Sequence, residues 1–209
     1  MYNSVAKVWK NGIAQSLTAE TEIADAKSVF VAGSDVYVAG YETSGGGREI
    51  NCTMWKNGIA QVLYDGTNDA YAHAQAIFVS GSDVYVAANA YIREYQYVKV
   101  WKNGVEYSFI DRPTTASVWS IFVSNGDVYV AGDESGIAKV WKNGTEQALT
   151  DGTNYARAWS VFVSGSDVYV AGGEFNANGI MVAKVWKNGT EQALTDGTYY
   201  AKAYSIFVK

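Results

Sequence analysis

The chain repeats itself, and the period of that repeat restricts its fold more than any other feature. Trp-Lys-Asn-Gly occurs at Trp9, Trp55, Trp101, Trp141 and Trp186, at spacings of 46, 46, 40 and 45 residues. Asp-Val-Tyr-Val-Ala begins at Asp35, Asp83, Asp127 and Asp167, and an aliphatic residue followed by Phe-Val recurs around Phe30, Phe78, Phe122, Phe162 and Phe207. Residues 138–153 return unchanged as 183–198, which points to recent duplication or deliberate design. Periods of this length belong to solenoids, propellers and repeat arrays.

Each unit reads as four short strands, a to d. In the fourth run these are residues 158–164, 168–172, 182–187 and 191–195. Val, Tyr, Phe, Trp and Thr fill the runs, a composition that suits strands rather than helices. Ser-Gly-Ser-Asp separates a from b, and Lys-Asn-Gly separates c from d, where Asn-Gly favours the type I′ hairpin turn. Val161-Phe162-Val163 carries apolar side chains toward both faces, so both faces should be covered. Four-stranded antiparallel units covered on both sides describe propeller blades better than solenoid turns, which need distinct polar caps.

The repeat resembles the blades of bacterial β-propellers with a Val-Trp-Lys-Asn-Gly motif, and in blade length it is similar to five-bladed tachylectin-2. The resemblance covers essentially the whole chain and implies a fold more than a function, since propellers host lectins, hydrolases and scaffolds alike. The expected fold is therefore all-β, a five-bladed β-propeller of four-stranded antiparallel blades over residues 1–209. Full blades are expected at about 26–66, 74–112, 117–152 and 158–197, with fragments 1–20 and 203–209 sharing one blade.

The strand count does not close. Strands a, c and d each occur five times, strand b four times, so one blade lacks the equivalent of Ser-Gly-Ser-Asp-Val-Tyr-Val-Ala-Gly. An open gap would expose two unpaired edges. A truncated or engineered origin is the favoured reading. A homo-oligomer, a strand-complementing peptide or a tolerated three-stranded blade are the others.

Composition narrows the function classes. A net charge of −5 is the wrong sign for a nucleic-acid binder. Cys52 and His73 are the only residues of their types, which excludes internal disulfides and a Cys/His zinc site, and no metal or cofactor is expected. No apolar run approaches the ~18 residues of a membrane span, and the start lacks signal-peptide anatomy. An enzyme is not expected, because a near-uniform repeat argues against one asymmetric catalytic centre; a glycosidase-like hydrolase, needing two carboxylates at a defined separation, is the minor alternative.

The a–b and c–d turns are short and nearly invariant, whereas the b–c loops and d–a connectors vary in length and content. Function on a propeller usually sits on such loops, so this variable face is the expected binding surface. All four Arg residues (Arg48, Arg93, Arg112 and Arg157) fall in or beside it. The Trp of Trp-Lys-Asn-Gly is expected between blades. Trp119 and Trp159 instead share a position at the start of strand a that holds Lys27, Gln75 and Tyr204 elsewhere, and they are expected at the channel mouth or packed inside it. The candidate ligand-binding residues are Trp119, Trp159, Tyr204, Arg157, Tyr155 and Tyr199. Rings beside Arg, Asn and Asp suit a saccharide or a protein ligand. Thr-Asp-Gly-Thr at Asp151 and Asp196 is read as a turn rather than a calcium loop.

Overall fold

The computed structural model describes residues 4–19, 23–44, 49–66, 70–107, 109–110 and 112–209. They form two compact units, Met1–Pro113 and Thr114–Lys209. In the first, β1 (Lys7–Lys10) and β2 (Ile13–Ser16) make a two-stranded sheet. One four-stranded sheet follows with β3 (Ala24–Ala32), β4 (Asp35–Ser44), β5 (Glu49–Lys56) and β6 (Ile59–Tyr64). The next holds β7 (Ala70–Ser80), β8 (Asp83–Ile92), β9 (Tyr95–Lys102) and β10 (Val105–Tyr107).

The second unit opens with a sheet of β11 (Ser117–Ser124), β12 (Asp127–Glu134), β13 (Ile137–Lys142) and β14 (Thr145–Ala148). Its other sheet is β15 (Ala156–Ser164), β16 (Asp167–Phe175), β17 (Met181–Lys187) and β18 (Thr190–Ala193). Neighbouring strands are antiparallel and consecutive in sequence, as hairpin-linked blades require. The fold is thus all-β, of the five-bladed propeller class, with four complete blades and one incomplete blade represented by β1 and β2.

The turns follow from their sequence. Asn143 and Gly144 have φ of 50° and 82°, the left-handed pair of a type I′ turn, and the other four Lys-Asn-Gly turns repeat it. Each complete blade is then locked by its two motifs acting together. Asp35 Oδ2 lies 2.8 Å from Lys56 Nζ, and Asp35 Oδ1 accepts a hydrogen bond from Asn57 Nδ2 at 2.8 Å. Asn57 Oδ1 accepts the Val36 N–H at 2.9 Å, and Lys56 sits over the Tyr37 ring. The same set recurs at Asp83–Lys102–Asn103, Asp127–Lys142–Asn143 and Asp167–Lys187–Asn188.

Within each unit the blades pack through their small and aromatic residues. Val161 and Val163 of β15 lie on Tyr129, Ala131 and Val140, with Trp186 buried in the same cluster. In the first unit, Ile77 and Val79 of β7 lie likewise on Tyr37, Ala39 and Met54 beside Trp101. Trp55, Trp101, Trp141 and Trp186 are at most 2% exposed, as expected of inter-blade residues, but Trp9 is 64% exposed. Cys52 is fully buried, and burial pushes its thiol up to about 12.

Two local expectations are revised. Of the residues expected as b–c loops, 89–97 are mostly strand, with β8 and β9 meeting at the two-residue turn Arg93-Glu94, and 133–136 reduce to the turn Ser135-Gly136; 176–180 do form a loop, and 45–48 lie outside the described residues. The first strand expected at the C-terminal end forms no sheet ladder, although Ile206 N–H donates to Ser160 Oγ at 3.3 Å and Phe207 meets Phe162.

Candidate functional site

The first strands alternate Ala with larger residues, and the alternation sorts them by face. Ala72 and Ala74 of β7, and Ala156 and Ala158 of β15, point into the core. Tyr71, His73, Arg157 and their counterparts take the other face, as the two-residue period demands. The ladder to the second strand then slips once in every complete blade, at the same place. The register shifts between Ala26 and Ser28, Ala74 and Ala76, Val118 and Ser120, and Ala158 and Ser160. The extra residue is Lys27, Gln75, Trp119 or Trp159. A β-bulge re-aims the side chain it carries and relaxes its pairing constraint. The bulge is thus one of the positions that vary from blade to blade, as is the position two residues before it, Asp25, His73, Ser117 or Arg157.

In the second unit each bulge tryptophan belongs to a cluster of rings around one cation. Arg157 lies over Trp119 at 5.5 Å and over Tyr155 at 5.2 Å from the ring centres. Trp119 Nε1–H donates to Asp133 Oδ1 at 3.1 Å, and Arg157 Nε stands 3.4 Å from the same oxygen. That ion pair leaves the Nε hydrogen without an acceptor among the described residues. Burial raises the Asp133 carboxyl above its ordinary range, against the Trp119 hydrogen bond and the Arg157 charge.

The second cluster repeats the first one blade on. Lys202 lies over Trp159, Tyr200 and Tyr204 at 5.4, 5.2 and 5.7 Å, and Trp159 packs on Tyr204 at 5.3 Å. Hydrogen bonding to Tyr200, with a lesser share from Tyr204, raises the Lys202 ammonium above its ordinary value against the opposing effect of burial. Phe175 bridges the two clusters, 6.2 Å from both Tyr155 and Tyr200. The result is a strip of rings with two cations set into it. Each cation–ring contact contributes roughly 0.5–1 kcal/mol at an exposed site and more when desolvated.

The structure thus brings Trp119, Arg157 and Tyr155 together, and Trp159 with Tyr204. Tyr199 is exposed and joins neither cluster. Asp133, Phe175, Tyr200 and Lys202 were not among the candidate ligand-binding residues, although Tyr200 falls on the expected binding face. A signal for two of them was present: Tyr155-Ala-Arg157-Ala-Trp159 and Tyr200-Ala-Lys202-Ala-Tyr204 are one motif. Among the other arginines, Arg93 forms a turn, Arg112 Nη1 donates to the Pro113 carbonyl, and Arg48 lies outside the described residues.

The first unit carries a related strip. His73 stacks on Tyr41 at 4.5 Å, Tyr71 on Tyr91 at 4.8 Å, and Lys27 lies 6.0 Å from the Tyr41 centre. Burial, then the Lys27 charge, lowers the His73 imidazole below its usual value, so it is neutral at pH 7. The recurring acidic groups are structural: Asp151 and Asp196 accept the N–H of Thr153 and Thr198 in Asx turns, and Glu134 and Glu174 pair with Lys139 and Lys184.

No family model and no curated protein matches the chain. Among solved structures it is similar to a bifunctional GH43-CE enzyme from Bacteroides eggerthii, at 16% identity and a TM-score of 0.44, covering 86% of this chain and 28% of that one. It is also similar to an α-L-arabinofuranosidase from Lactobacillus brevis, at 12% identity and a TM-score of 0.44, covering 85% of this chain and 71% of that one. The expectation that the chain is not an enzyme is not retained: both of these similar structures are enzymes.

Proposed function

We propose that the chain binds carbohydrate along the aromatic strip of its second unit. One subsite is Trp119, Tyr155 and Arg157 with Asp133; the next is Trp159, Tyr200 and Tyr204 with Lys202. The observation that carries this reading is the repeated arrangement of a cation among rings, one ring of each set being a tryptophan carried on a β-bulge. The apolar faces of a sugar stack on rings, while Arg157, Lys202 and Asp133 present donors and an acceptor to its hydroxyls. The likeness in blade size to tachylectin-2 agrees with a lectin-like role. A protein ligand would use the same Tyr, Trp and Arg side chains.

The test is a glycan panel read by tryptophan fluorescence. A bound saccharide quenches the emission, and Trp159→Ala weakens binding by roughly tenfold or more, the scale of one lost stacking contact. No change across the panel would remove the reading.

A hydrolytic reading draws on one observation, the raised Asp133 carboxyl, which is a property of general acids. It requires a second carboxylate at the separation glycosidases use. Hydrolysis of an aryl-glycoside panel that disappears in Asp133→Asn would support it; hydrolysis unaffected by that change would not.

A further inference from the structure

In every complete blade the third strand receives the second in one register. Tyr37 stands opposite Lys56, Val38 opposite Trp55, Ala39 opposite Met54 and Gly40 opposite Thr53. The pairings of β12 with β13 and of β16 with β17 repeat the Tyr–Lys and Val–Trp steps. The Asp that starts the second strand is held by the Lys and Asn at the end of the third.

The β1–β2 hairpin keeps the receiving half of this device. Lys10 and Asn11 stand where Lys56 and Asn57 stand, Asn11 has the same left-handed φ of 51°, and no carboxylate meets either residue among the described residues. β1 pairs only with β2 among the described strands, so its other edge is unpaired. Beside that edge is a cavity of about 270 Å³ lined by Val8, Trp9, Ala26, Val29 and Val38. Val29 and Val31 of β3 are 55% and 61% exposed, although Ile77 and Val161, the counterparts of Val29, are 4% exposed, and Val79 and Val163, the counterparts of Val31, are 8% and 7% exposed beneath a neighbouring blade. A free strand edge, an apolar cleft and an unengaged Lys–Asn pair therefore coincide.

We propose that this edge is a receptor for one antiparallel peptide strand of sequence Asp-Val-Tyr-Val-Ala-Gly, supplied in trans. The added strand places its Tyr opposite Lys10, its second Val opposite Trp9, its Ala opposite Val8 and its Gly opposite Lys7. Its Asp carboxylate is met by the Lys10 ammonium and the Asn11 amide, and Asn11 Oδ1 accepts the first Val N–H. Main-chain hydrogen bonds supply affinity and the Asp contact selects the sequence, the usual division in strand addition. The peptide covers Trp9, Val29 and Val31. Nothing in this proposal depends on the saccharide strip, which lies in the other unit.

The experiment uses the full chain and a synthetic peptide, Ser-Gly-Ser-Asp-Val-Tyr-Val-Ala-Gly, the sequence of residues 164–172. Native mass spectrometry should show a one-to-one adduct, and tryptophan emission should shift to the blue as Trp9 leaves water. Trp9→Phe should bind the peptide without that shift. Lys10→Ala, or a peptide with Ala for its Asp, should bind roughly tenfold more weakly, as expected on losing a charged hydrogen bond. All these positions are exposed, so the variants should fold. No adduct, an adduct indifferent to the Asp and Lys10 changes, or a self-associated chain whose Trp9 is already protected would each overturn the proposal.

Discussion

Two tryptophans with the same four-residue motif have opposite surroundings, and that contrast is measurable. Trp141 is 1% exposed between blades, whereas the Trp9 ring faces solvent. Trp141→Ala should cost on the order of 3–5 kcal/mol by large-to-small precedent, and Trp9→Ala well under ~1 kcal/mol, compared by denaturant midpoints. The motif alone could not separate them, because burial depends on the partner sheet and not on the tetrapeptide. The Asp locks make a second test. Hydrogen bonds from Lys56 and Asn57 hold the Asp35 carboxyl below its ordinary range, and Asp83, Asp127 and Asp167 are held down in the same way. A carboxylate depressed in the folded state contributes stability above its unfolded value, roughly pH 4, and loses it as pH falls through the folded value. Unfolding midpoints should therefore drop as pH is lowered below about 4, and less steeply in Asp127→Asn. Asp133 works in the opposite sense, since burial raises its carboxyl. The four exposed locks outnumber it, so the net acid response should be loss of stability.

At the scale of elements, the strands and their turns were legible because local chemistry dictates them. Asn-Gly placed every c–d turn, and the Val and Trp run expected as a strand at 182–187 is β17 to within one residue. Gly144 has a φ of 82°, which a β-branched side chain disfavours strongly. Gly144→Val should lower the melting temperature measurably, while Gly144→Asn, which tolerates that backbone, should stay close to the parent. The bulges were not legible. They arise where two strands of different local length share one ladder, and nothing in Ala158-Trp159-Ser160 announces the slip. What the sequence did show was variation at one position, Lys27, Gln75, Trp119 and Trp159, without the reason for it. The b–c connections were misjudged for a related reason: polar residues such as Asn89 and Asp133 look like loop, yet both lie buried inside paired strands.

For the molecule as a whole, the sequence divides into invariant and variable parts, and the structure gives each a task. The Asp-Val-Tyr-Val and Trp-Lys-Asn-Gly motifs, 21 residues apart at Asp35 and Lys56, are two halves of one lock. Their pairing could have been inferred from their co-occurrence in each blade. The variable part sets Trp119 and Trp159 at bulges and gathers Arg157, Lys202 and further rings beside them. Arg157 and Trp119 come from adjacent blades, and sequence gives no distance between blades. Four buried scaffold tryptophans, Trp55, Trp101, Trp141 and Trp186, are thereby set apart from Trp119 and Trp159, which are proposed to face a ligand. This separation is tested most directly by fluorine NMR of the chain labelled with 5-fluorotryptophan, titrated with a saccharide panel. The Trp119 and Trp159 resonances, assigned by substitution, should move on binding while those of Trp55, Trp101, Trp141 and Trp186 stay fixed. Shifts confined to the buried four, or no shift with any saccharide, would contradict it.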